Sequence, residues 1–293
     1  MKKQLCLGSA QFGLDYGVTN NTGKITQQEI EKILEVAICS NIKYIDTASA
    51  YGNAEKLIGS FEGKKNFKII SKFPSQNELE YSKDNIEKWD AIISKTLSNL
   101  GLSKLDSYLV HDIKDLKKKN SDILIHWLKS LVKRGIVERI GLSIYEKKDI
   151  SDLDISDFKI VQLPLSIYDQ RLLSDGTIDF LNEKGISIHV RSVFLQGLIL
   201  SHENYWPKFI SNSFKSHHKR FREYSFGNKK SLLDNALDFI FNLPNIESCL
   251  VGVCSEKDLR EISLSWENLK FNKSNFKKFE WNSITDIDPR LWN

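Results

Sequence analysis

Four side chains that can hold or move protons lie where predicted β-strands end. Asp46 closes one strand and Tyr51 follows five residues later, while Lys72 and His111 follow the next two strands. A free phenol has a pKa of about 10 and donates poorly at neutral pH, so it needs a neighbouring cation. We expect Lys72 to supply that charge, Asp46 to hold the lysine, and His111 to hydrogen-bond a carbonyl oxygen. Such a set suits the reduction of a carbonyl group.

Short β-rich segments alternate with helical segments along most of the chain, and this alternation predicts a parallel sheet. Eight strands of this kind predict an α/β fold, the (β/α)8 TIM barrel, in which the carboxyl ends of the strands form one ring. The ring would bring residues from the second, third and fourth strands together. The predicted strands are 4–8, 43–46, 67–71, 105–110, 137–142, 159–163, 186–190 and 247–251.

The helical segments carry their own boundary signals. Thr26 and Glu29 predict a capping box, in which the threonine caps the helix and the glutamate reaches back to the open N–H. No linker divides the chain, so we expect a single domain over 1–293, with a long insertion at 198–228 over the carboxyl-end face and a C-terminal extension at 271–293 that folds back. Further helices are predicted at 53–61, 84–100, 122–134, 146–153, 177–184 and 231–242.

The composition excludes several classes of protein. The 293 residues are 41% hydrophobic and 27% charged, and 42 basic against 38 acidic residues give a net charge of only +4, which argues against a nucleic-acid partner. Cys6, Cys39, Cys249 and Cys254 show neither paired nor metal-ligand spacing, which favours reduced thiols and no metal site. No apolar stretch suits a signal segment or membrane span, so we expect a soluble, cytoplasmic protein of undefined oligomeric state.

The segments around the four residues resemble the aldo-keto reductases, barrel enzymes that move hydride between NAD(P)H and a carbonyl. The resemblance is carried by Asp-x-x-x-x-Tyr-Gly from Asp46 and by Leu-x-x-Tyr-Leu-Val-His ending at His111, and it extends over 7–255. It implies a catalytic tetrad of Asp46, Tyr51, Lys72 and His111, with Tyr51 as general acid. Singly, these residues have plainer explanations: a turn cap, a rim aromatic, a surface lysine and a core histidine. Their joint occurrence in the family's order favours catalysis.

No glycine-rich fingerprint opens a helix after a strand, so a Rossmann site is not predicted. The resemblance implies instead a cofactor lying across the barrel mouth, with a slight preference for NADPH over NADH. It places Gly8 and Ser9 at the nicotinamide ribose, and Ser143 and Gln162 at the carboxamide. The other implied contacts are Arg191, Ser192, Leu195, Gln196 and Gly197 at the nicotinamide and pyrophosphate, and Gly252, Val253, Cys254, Ser255 and Asp258 at the adenosine phosphate.

The chain departs from the family's pattern at several of these contacts. Ile144 and Ser166 replace asparagines that commonly assist the carboxamide, and Arg191 replaces a stacking tyrosine, although a guanidinium can also stack on a flat ring. Cys254 stands where many members carry a cation for the 2'-phosphate. Asp258 adds an acid nearby, which would suit the ribose hydroxyl of NADH. The alternative is that these two side chains only face solvent.

The insertion 198–228 mixes aromatic and basic residues. They would suit a polar, phosphorylated or nucleotide-linked sugar carbonyl, or equally they would pack beneath a charged surface helix. The residues of segments 141–145, 162–171 and 191–197 resemble those of bacterial family members that are associated with surface-polysaccharide sugar pathways.

We therefore predict an enzyme that reduces a small-molecule aldehyde or ketone with NAD(P)H. Two alternatives stay open. One is a regulatory subunit that binds NAD(P)H without turnover, and the other is a sugar epimerase or isomerase that uses Tyr51 and His111 as acid and base.

Overall fold

The computed structural model describes residues 3–20, 23–272 and 275–292, and a closed barrel of eight parallel strands forms its centre. The strands are joined in sequence order, so the predicted (β/α)8 barrel is confirmed. Each strand begins and ends close to its predicted bounds. The strands are β1 (Gln4–Gly8), β2 (Tyr44–Asp46), β3 (Lys68–Phe73), β4 (Leu105–Val110), β5 (Val137–Ser143), β6 (Ile160–Pro164), β7 (Ser187–Arg191) and β8 (Ser248–Gly252).

The register of the strands brings their carboxyl ends level. Gly8 of β1 pairs with Asp46 of β2 on one side and with Gly252 of β8 on the other. Across the ring, Ser143 of β5 pairs with Gln162 of β6. Residues that are distant in sequence therefore surround one opening, the mouth of the barrel, as parallel strands require.

Helices cover the outside of the barrel and bury their apolar faces against it. Among the described residues, none of these helices is both long enough and apolar enough to cross a membrane. The α-helices are α1 (Ala10–Gly13), α2 (Gln27–Cys39), α3 (Ala54–Ser60), α4 (Asn85–Leu100), α5 (Ser121–Lys133), α6 (Arg171–Ser174), α7 (Thr177–Glu183), α8 (Asn212–Gly227), α9 (Leu232–Asn242), α10 (Glu256–Asn268) and α11 (Ile284–Ile287). Single 3-10 turns or short 3-10 segments lie at Glu62–Asn66, Ile113–Lys117, Lys147–Asp149, Leu195–Leu200, Glu203–Tyr205, Lys277–Phe279 and Pro289–Leu291.

The start of α2 differs from its prediction in one half of the capping box. Thr26 caps the helix as predicted, since its hydroxyl accepts from the N–H of Glu29. The carboxylate of Glu29, however, accepts from the N–H of Glu256 at 2.7 Å, at the start of α10. Because α2 and α10 pack side by side, the tertiary contact replaces the local one.

The helix predicted over 146–153 is only the 3-10 turn Lys147–Asp149. The carboxylate of Asp149 accepts from the N–H groups of Tyr145 and Glu146 at 2.7 and 3.0 Å. A short acidic side chain that bonds to backbone N–H groups in this way favours a turn over a longer helix.

The insertion and the C-terminal extension pack on each other beside the barrel. Phe214 and Phe221 of α8 are fully buried, and the ring of Phe214 stacks on Trp281 with centroids 5.3 Å apart. The N–H of Trp281 donates to Tyr168 O at 2.9 Å, and Tyr168 is itself fully buried against α8. The aromatic residues of this part of the insertion thus form a core with the extension.

Candidate active site

Lys72 is held at the barrel mouth by two acceptors and faces Tyr51. Its Nζ donates to Asp46 Oδ2 at 2.6 Å and to Thr47 O at 2.9 Å, and it lies 3.5 Å from Tyr51 Oη. Lys72 and Asp46 are 1% and 2% exposed, so a dry ion pair abuts a phenol. The adjacent strands β2 and β3 supply the pair, and the turn after β2 supplies Tyr51. Three of the residues predicted to act together therefore lie in contact.

The pKa of Tyr51 lies above its usual value, because burial raises it more than the Lys72 charge lowers it. Asp46 also raises the pKa of the phenol, since it offsets the charge of Lys72. The direction is opposite to the one that the sequence predicted, and Tyr51 keeps its proton at neutral pH. Burial alone would lower the pKa of Lys72, but Asp46 and then Tyr51 raise it, so the ammonium group stays charged.

His111 follows β4 directly and completes the predicted group of four. Its ring lies 6.1 Å from the Tyr51 ring, centroid to centroid, at an interplanar angle of 84°. Burial first, and then the charges of Lys72 and Arg191, lower the pKa of His111 to about 3. The imidazole is therefore uncharged at neutral pH, with one N–H free to donate to an oxygen near Tyr51.

Gln162 makes a contact that the sequence did not predict. Its Nε2 donates to Asp46 Oδ1 at 2.7 Å, while the other oxygen of Asp46 accepts from Lys72. The resemblance had implied only a contact with the cofactor's carboxamide. Gln162 lies on β6, which is across the barrel from β2, so no spacing in the sequence indicates this hydrogen bond.

A cavity of 620 Å³ runs across the barrel mouth from His111 to the start of α10. Ser9 lies in its wall, and within the described part of the chain the buried Ser9 Oγ has no hydrogen-bond partner. A buried polar atom of this kind needs a partner, which a ligand in the cavity would supply. The predicted cofactor residues that line the cavity are Gly8, Ser9, Ser143, Gln162, Arg191, Ser192, Gly197, Gly252, Val253, Cys254 and Asp258.

Two of the predicted cofactor residues do not line the cavity. The side chain of Leu195 is 1% exposed and belongs to the hydrophobic core. Ser255 is the N-cap of α10, where its Oγ accepts from the N–H of Asp258 at 3.2 Å. Gln196, which was predicted with its neighbours Leu195 and Gly197, also lines the cavity, and so do several residues that were not predicted as cofactor contacts. The residues not predicted as cofactor contacts include Gln11, Tyr16, Thr19, Tyr145 and Glu261.

Residues 4–283 match the model of the Aldo/keto reductase family. The chain belongs to this family. It is 28% identical to the uncharacterized oxidoreductase YtbE of Bacillus subtilis (strain 168) over 178 residues, which are 59% of this chain and 62% of that protein. It is 26% identical to aldo-keto reductase family 1 member A1 of Cricetulus griseus over 154 residues, 45% of this chain and 47% of that protein. These alignments span less than two thirds of either curated relative.

The fold of this aldo/keto reductase is also that of solved structures. An aldo-keto reductase from Bacillus halodurans superposes with a TM-score of 0.76 and 18% sequence identity, covering 94% of this chain and 90% of that one. At this identity the likeness concerns the fold alone. The family assignment therefore rests on the match to the family model. The solved structures add only that the barrel fold is shared.

Two loops of this family member meet across the mouth of the barrel. The N–H of Val18 donates to Gln196 Oε1 at 3.1 Å, and Thr19 Oγ1 donates to Gln196 O at 3.0 Å. Gln196 and Gly197 have φ angles of +52° and +92°, in the left-handed region. A Cβ at residue 197 would lie 1.9 Å from Thr19 Oγ1, so the loops can close only over glycine.

Carboxylates occupy the backbone donors at the start of α10. Asp258 Oδ2 accepts from the N–H groups of Cys254 and Ser255, each at 3.0 Å, and Glu29 accepts from that of Glu256. Helix N-termini bind phosphate through such free N–H groups. Here the donors are already bonded to negative charge.

Glu29 lies 3.7 Å from the largely exposed Lys32, but among the described residues no cation that lines the cavity forms an ion pair with Glu29 or Asp258. Lys257 lies 3.9 Å from Glu261, and Arg260 lies 3.4 Å from Glu256, with both basic side chains largely exposed outside the cavity wall. Burial, followed by Asp258 and Asp15, raises the pKa of Cys254, which therefore stays an uncharged thiol. The α10 end of the cavity is acidic.

The insertion contributes little to the cavity. Only Leu200 and Ser201 of residues 198–228 line it. Of its aromatic residues, Trp206, Phe214 and Phe221 are buried away from the mouth. These three side chains therefore pack in the protein interior, which is one of the two alternatives predicted for the insertion, and they do not line the site for a ligand.

Proposed function

We propose that this protein reduces an aldehyde or ketone to an alcohol with a nicotinamide cofactor, and that Tyr51 donates the proton. The observation that carries the proposal is the contact between Tyr51 Oη and Lys72 Nζ, 3.5 Å apart in a cavity that His111 also lines. A protonated phenol beside a fixed ammonium group and a neutral imidazole is suited to proton donation onto an oxygen that develops negative charge.

A bound nicotinamide would supply the hydride to the carbonyl carbon, and the remaining tasks fall to the side chains described. Tyr51 Oη and the N–H of His111 both donate to the carbonyl oxygen and so orient it. The proton of Tyr51 passes to the alkoxide oxygen as that oxygen gains charge. Lys72 stabilises the phenolate left behind, and Asp46 keeps Lys72 charged and aimed at it.

The residues of the cavity suit such a cofactor. Ser9 Oγ, which has no partner among the described residues, lies just after β1, and Ser143 at the end of β5 pairs with Gln162 of β6. These polar groups would bind the nicotinamide end, while Ser192, Gly252 and Val253 would contact the remainder of the dinucleotide.

NADH is the cofactor that we propose, in place of the slight preference for NADPH that the sequence suggested. The support is the acidic start of α10, where Asp258 and Glu29 occupy the N–H groups of residues 254–256. A 2'-phosphate there would meet carboxylates instead of free donors, whereas a ribose hydroxyl would not be repelled.

The intact Tyr51–Lys72–Asp46 group favours turnover over a purely regulatory role. A cytoplasmic location is part of the proposal, because all four cysteines are free thiols in the structure. That the substrate is a sugar carbonyl of a surface-polysaccharide pathway stays a prediction, which rests on the sequences of three motifs. The buried aromatic residues of the insertion do not support it.

The test follows nicotinamide absorbance with a panel of aldehydes and ketones, for the wild type, Tyr51→Phe and Tyr108→Phe. Tyr108 is a matched control because its buried hydroxyl has no partner among the described residues and lies outside the cavity. We expect Tyr51→Phe to lose roughly 100- to 10,000-fold in kcat and Tyr108→Phe to stay near wild type. Equal turnover by wild type and Tyr51→Phe would refute the assignment.

A further inference from the structure

Arg191 is a cation without a counter-ion in the wall of the active-site cavity. It ends β7 and is partly buried. Within residues 3–20, 23–272 and 275–292, no carboxylate forms an ion pair with Arg191. Apart from Arg220, which bonds to His217, every other arginine has an acidic partner. The paired arginines are Arg134, Arg139, Arg171, Arg222, Arg260 and Arg290.

The guanidinium group of Arg191 is held in a fixed orientation. One Nη donates to Ile144 O at 3.0 Å, and the group lies 4.0 Å from the centre of the Tyr145 ring. Arg290 lies 3.6 Å from the same ring centre and is neutralised by Asp288 at 2.6 Å. Arg191 therefore already lies over a ring of the protein, and most of its five N–H donors have no acceptor among the described residues.

At the catalytic end of the cavity, no negative charge of the described residues balances the charge of Arg191. Lys72 is balanced by Asp46 at 2.6 Å, and His111 is uncharged at neutral pH. The charge of Arg191 reaches both proton-transfer residues, since it helps to lower the pKa of Tyr51 and of His111. The acids that line the cavity elsewhere, Asp258 and Glu261, lie at the α10 end.

We propose that Arg191 binds an anionic group of the substrate, a carboxylate or a phosphate, while the substrate's carbonyl oxygen lies between Tyr51 and His111. The inference rests on the proposed carbonyl reduction and narrows its substrate class. A guanidinium group with free, coplanar N–H donors matches the two oxygens of a carboxylate or phosphate. The basic residues of the insertion do not take this role, because only Leu200 and Ser201 of that segment reach the cavity.

The first test compares matched substrates with and without an anionic group. The pairs are 4-oxobutanoate with its methyl ester, and glyceraldehyde 3-phosphate with glyceraldehyde. We expect the wild type to prefer the anionic member in kcat/KM by roughly 10- to 100-fold for at least one pair, as a charge-assisted hydrogen bond provides. Arg191→Gln should bring this ratio close to one, and Arg191→Lys should keep part of it. Arg290→Gln, which removes the neighbouring cation outside the cavity wall, should keep the full ratio.

The substrate ratio decides whether Arg191 binds the substrate, and NADH affinity identifies the competing explanation. If Arg191→Gln weakens NADH binding in a fluorescence titration and leaves the substrate ratio unchanged, Arg191 binds the phosphates of the cofactor and the proposal is wrong. A wild-type ratio near one for both pairs also overturns it, even where Tyr51-dependent reduction of neutral aldehydes is measured.

A second test needs no turnover and separates this inference from the proposed function. Succinate and inorganic phosphate, at ionic strength matched with sodium chloride, should raise the Tm of the wild type in a saturable manner. The shift for at least one of these anions should be lost in Arg191→Gln and retained in Arg290→Gln. Equal shifts in wild type and Arg191→Gln would refute the anion site, whether or not the protein reduces any carbonyl tested.

Discussion

The side-chain amide of Gln162 donates to Asp46 Oδ1 at 2.7 Å, across the barrel from the strand that carries Asp46. Both side chains are at most 2% exposed, so solvent does not replace either partner. Asp46 is thereby held from two sides, by Gln162 and by Lys72, whose Nζ faces Tyr51. We infer that Gln162 positions Asp46 and, through Lys72, the proposed proton donor Tyr51.

Replacing Gln162 by leucine should lower kcat by about 10- to 100-fold, because a buried oxygen of Asp46 is left without a donor. Without the hydrogen bond from Gln162, the Asp46 carboxylate offsets more of the positive charge of Lys72. Lys72 then stabilises the phenolate form of Tyr51 less. The limb of the pH–rate profile that reports ionisation of Tyr51 should therefore move to higher pH. Steady-state kinetics over a pH series, in both reaction directions, provide the measurement.

Ser143→Ala is the matched control for Gln162→Leu. Ser143 pairs with Gln162 in the sheet register and lines the same cavity, but it makes no hydrogen bond to Asp46. Loss of a cofactor contact should raise the KM for NADH in Ser143→Ala without moving the pH profile. If both variants raise that KM equally and neither moves the profile, Gln162 acts on the cofactor alone.

The partly buried His111 should make the folded protein sensitive to mild acid. Its pKa is lowered from 6.5 to about 3, so the unfolded chain binds one more proton between these pH values, and stability falls as pH falls through this window. From pH 7 to pH 5 this one group should cost about 2 kcal/mol. Urea unfolding at both pH values should show that His111→Gln, which cannot be protonated, loses about that much less than wild type. Equal losses would contradict a His111 imidazole that stays neutral in the folded protein.

Local patterns were sufficient to predict the strands, the barrel and the positions of Asp46, Tyr51, Lys72 and His111. Each of these depends on residues close in sequence and on the rule that parallel strands end level. The direction of the Tyr51 pKa shift was not predictable, because it depends on how much solvent the folded chain excludes.

The contacts that escaped prediction join distant parts of the chain. Gln162 and Asp46 are 116 residues apart, and Glu29 and Glu256 are 227 apart, so no local spacing indicates either bond. Leu195 was placed at the cofactor by family position, but its left-handed backbone, at φ +47°, lies in a loop whose leucine side chain is buried in the core. Long-range hydrogen bonds and the direction of a loop side chain both depend on how the chain packs, and one sequence does not show that packing.

The closure of the loops over Gly197 should make this glycine costlier to replace than another with a similar backbone. Gly176 has φ +78°, and no atom lies within 4 Å of the position that a Cβ would take there, so Gly176→Ala should cost about 1 kcal/mol from backbone strain alone. Gly197→Ala adds the collision with Thr19 Oγ1 and should cost clearly more in urea unfolding. Adding Thr19→Ala should recover part of that excess. Equal costs for the two glycine substitutions would mean that the loops separate freely.

The acids at the start of α10 should control the choice between NADH and NADPH. Asp258→Asn keeps a side-chain oxygen for capping but removes the negative charge from the N–H groups of Cys254 and Ser255. The affinity for NADPH should rise by roughly tenfold, a gain of about 1.4 kcal/mol, while that for NADH changes little, because only NADPH carries a 2'-phosphate. Fluorescence titration with both cofactors measures the ratio of the two affinities.

Glu261→Gln is the matched control for Asp258→Asn, since Glu261 lines the same end of the cavity without bonding to these N–H groups. An equal gain in both variants would show that general charge, rather than the occupied donors, determines the preference, and no gain in either would remove the basis for proposing NADH.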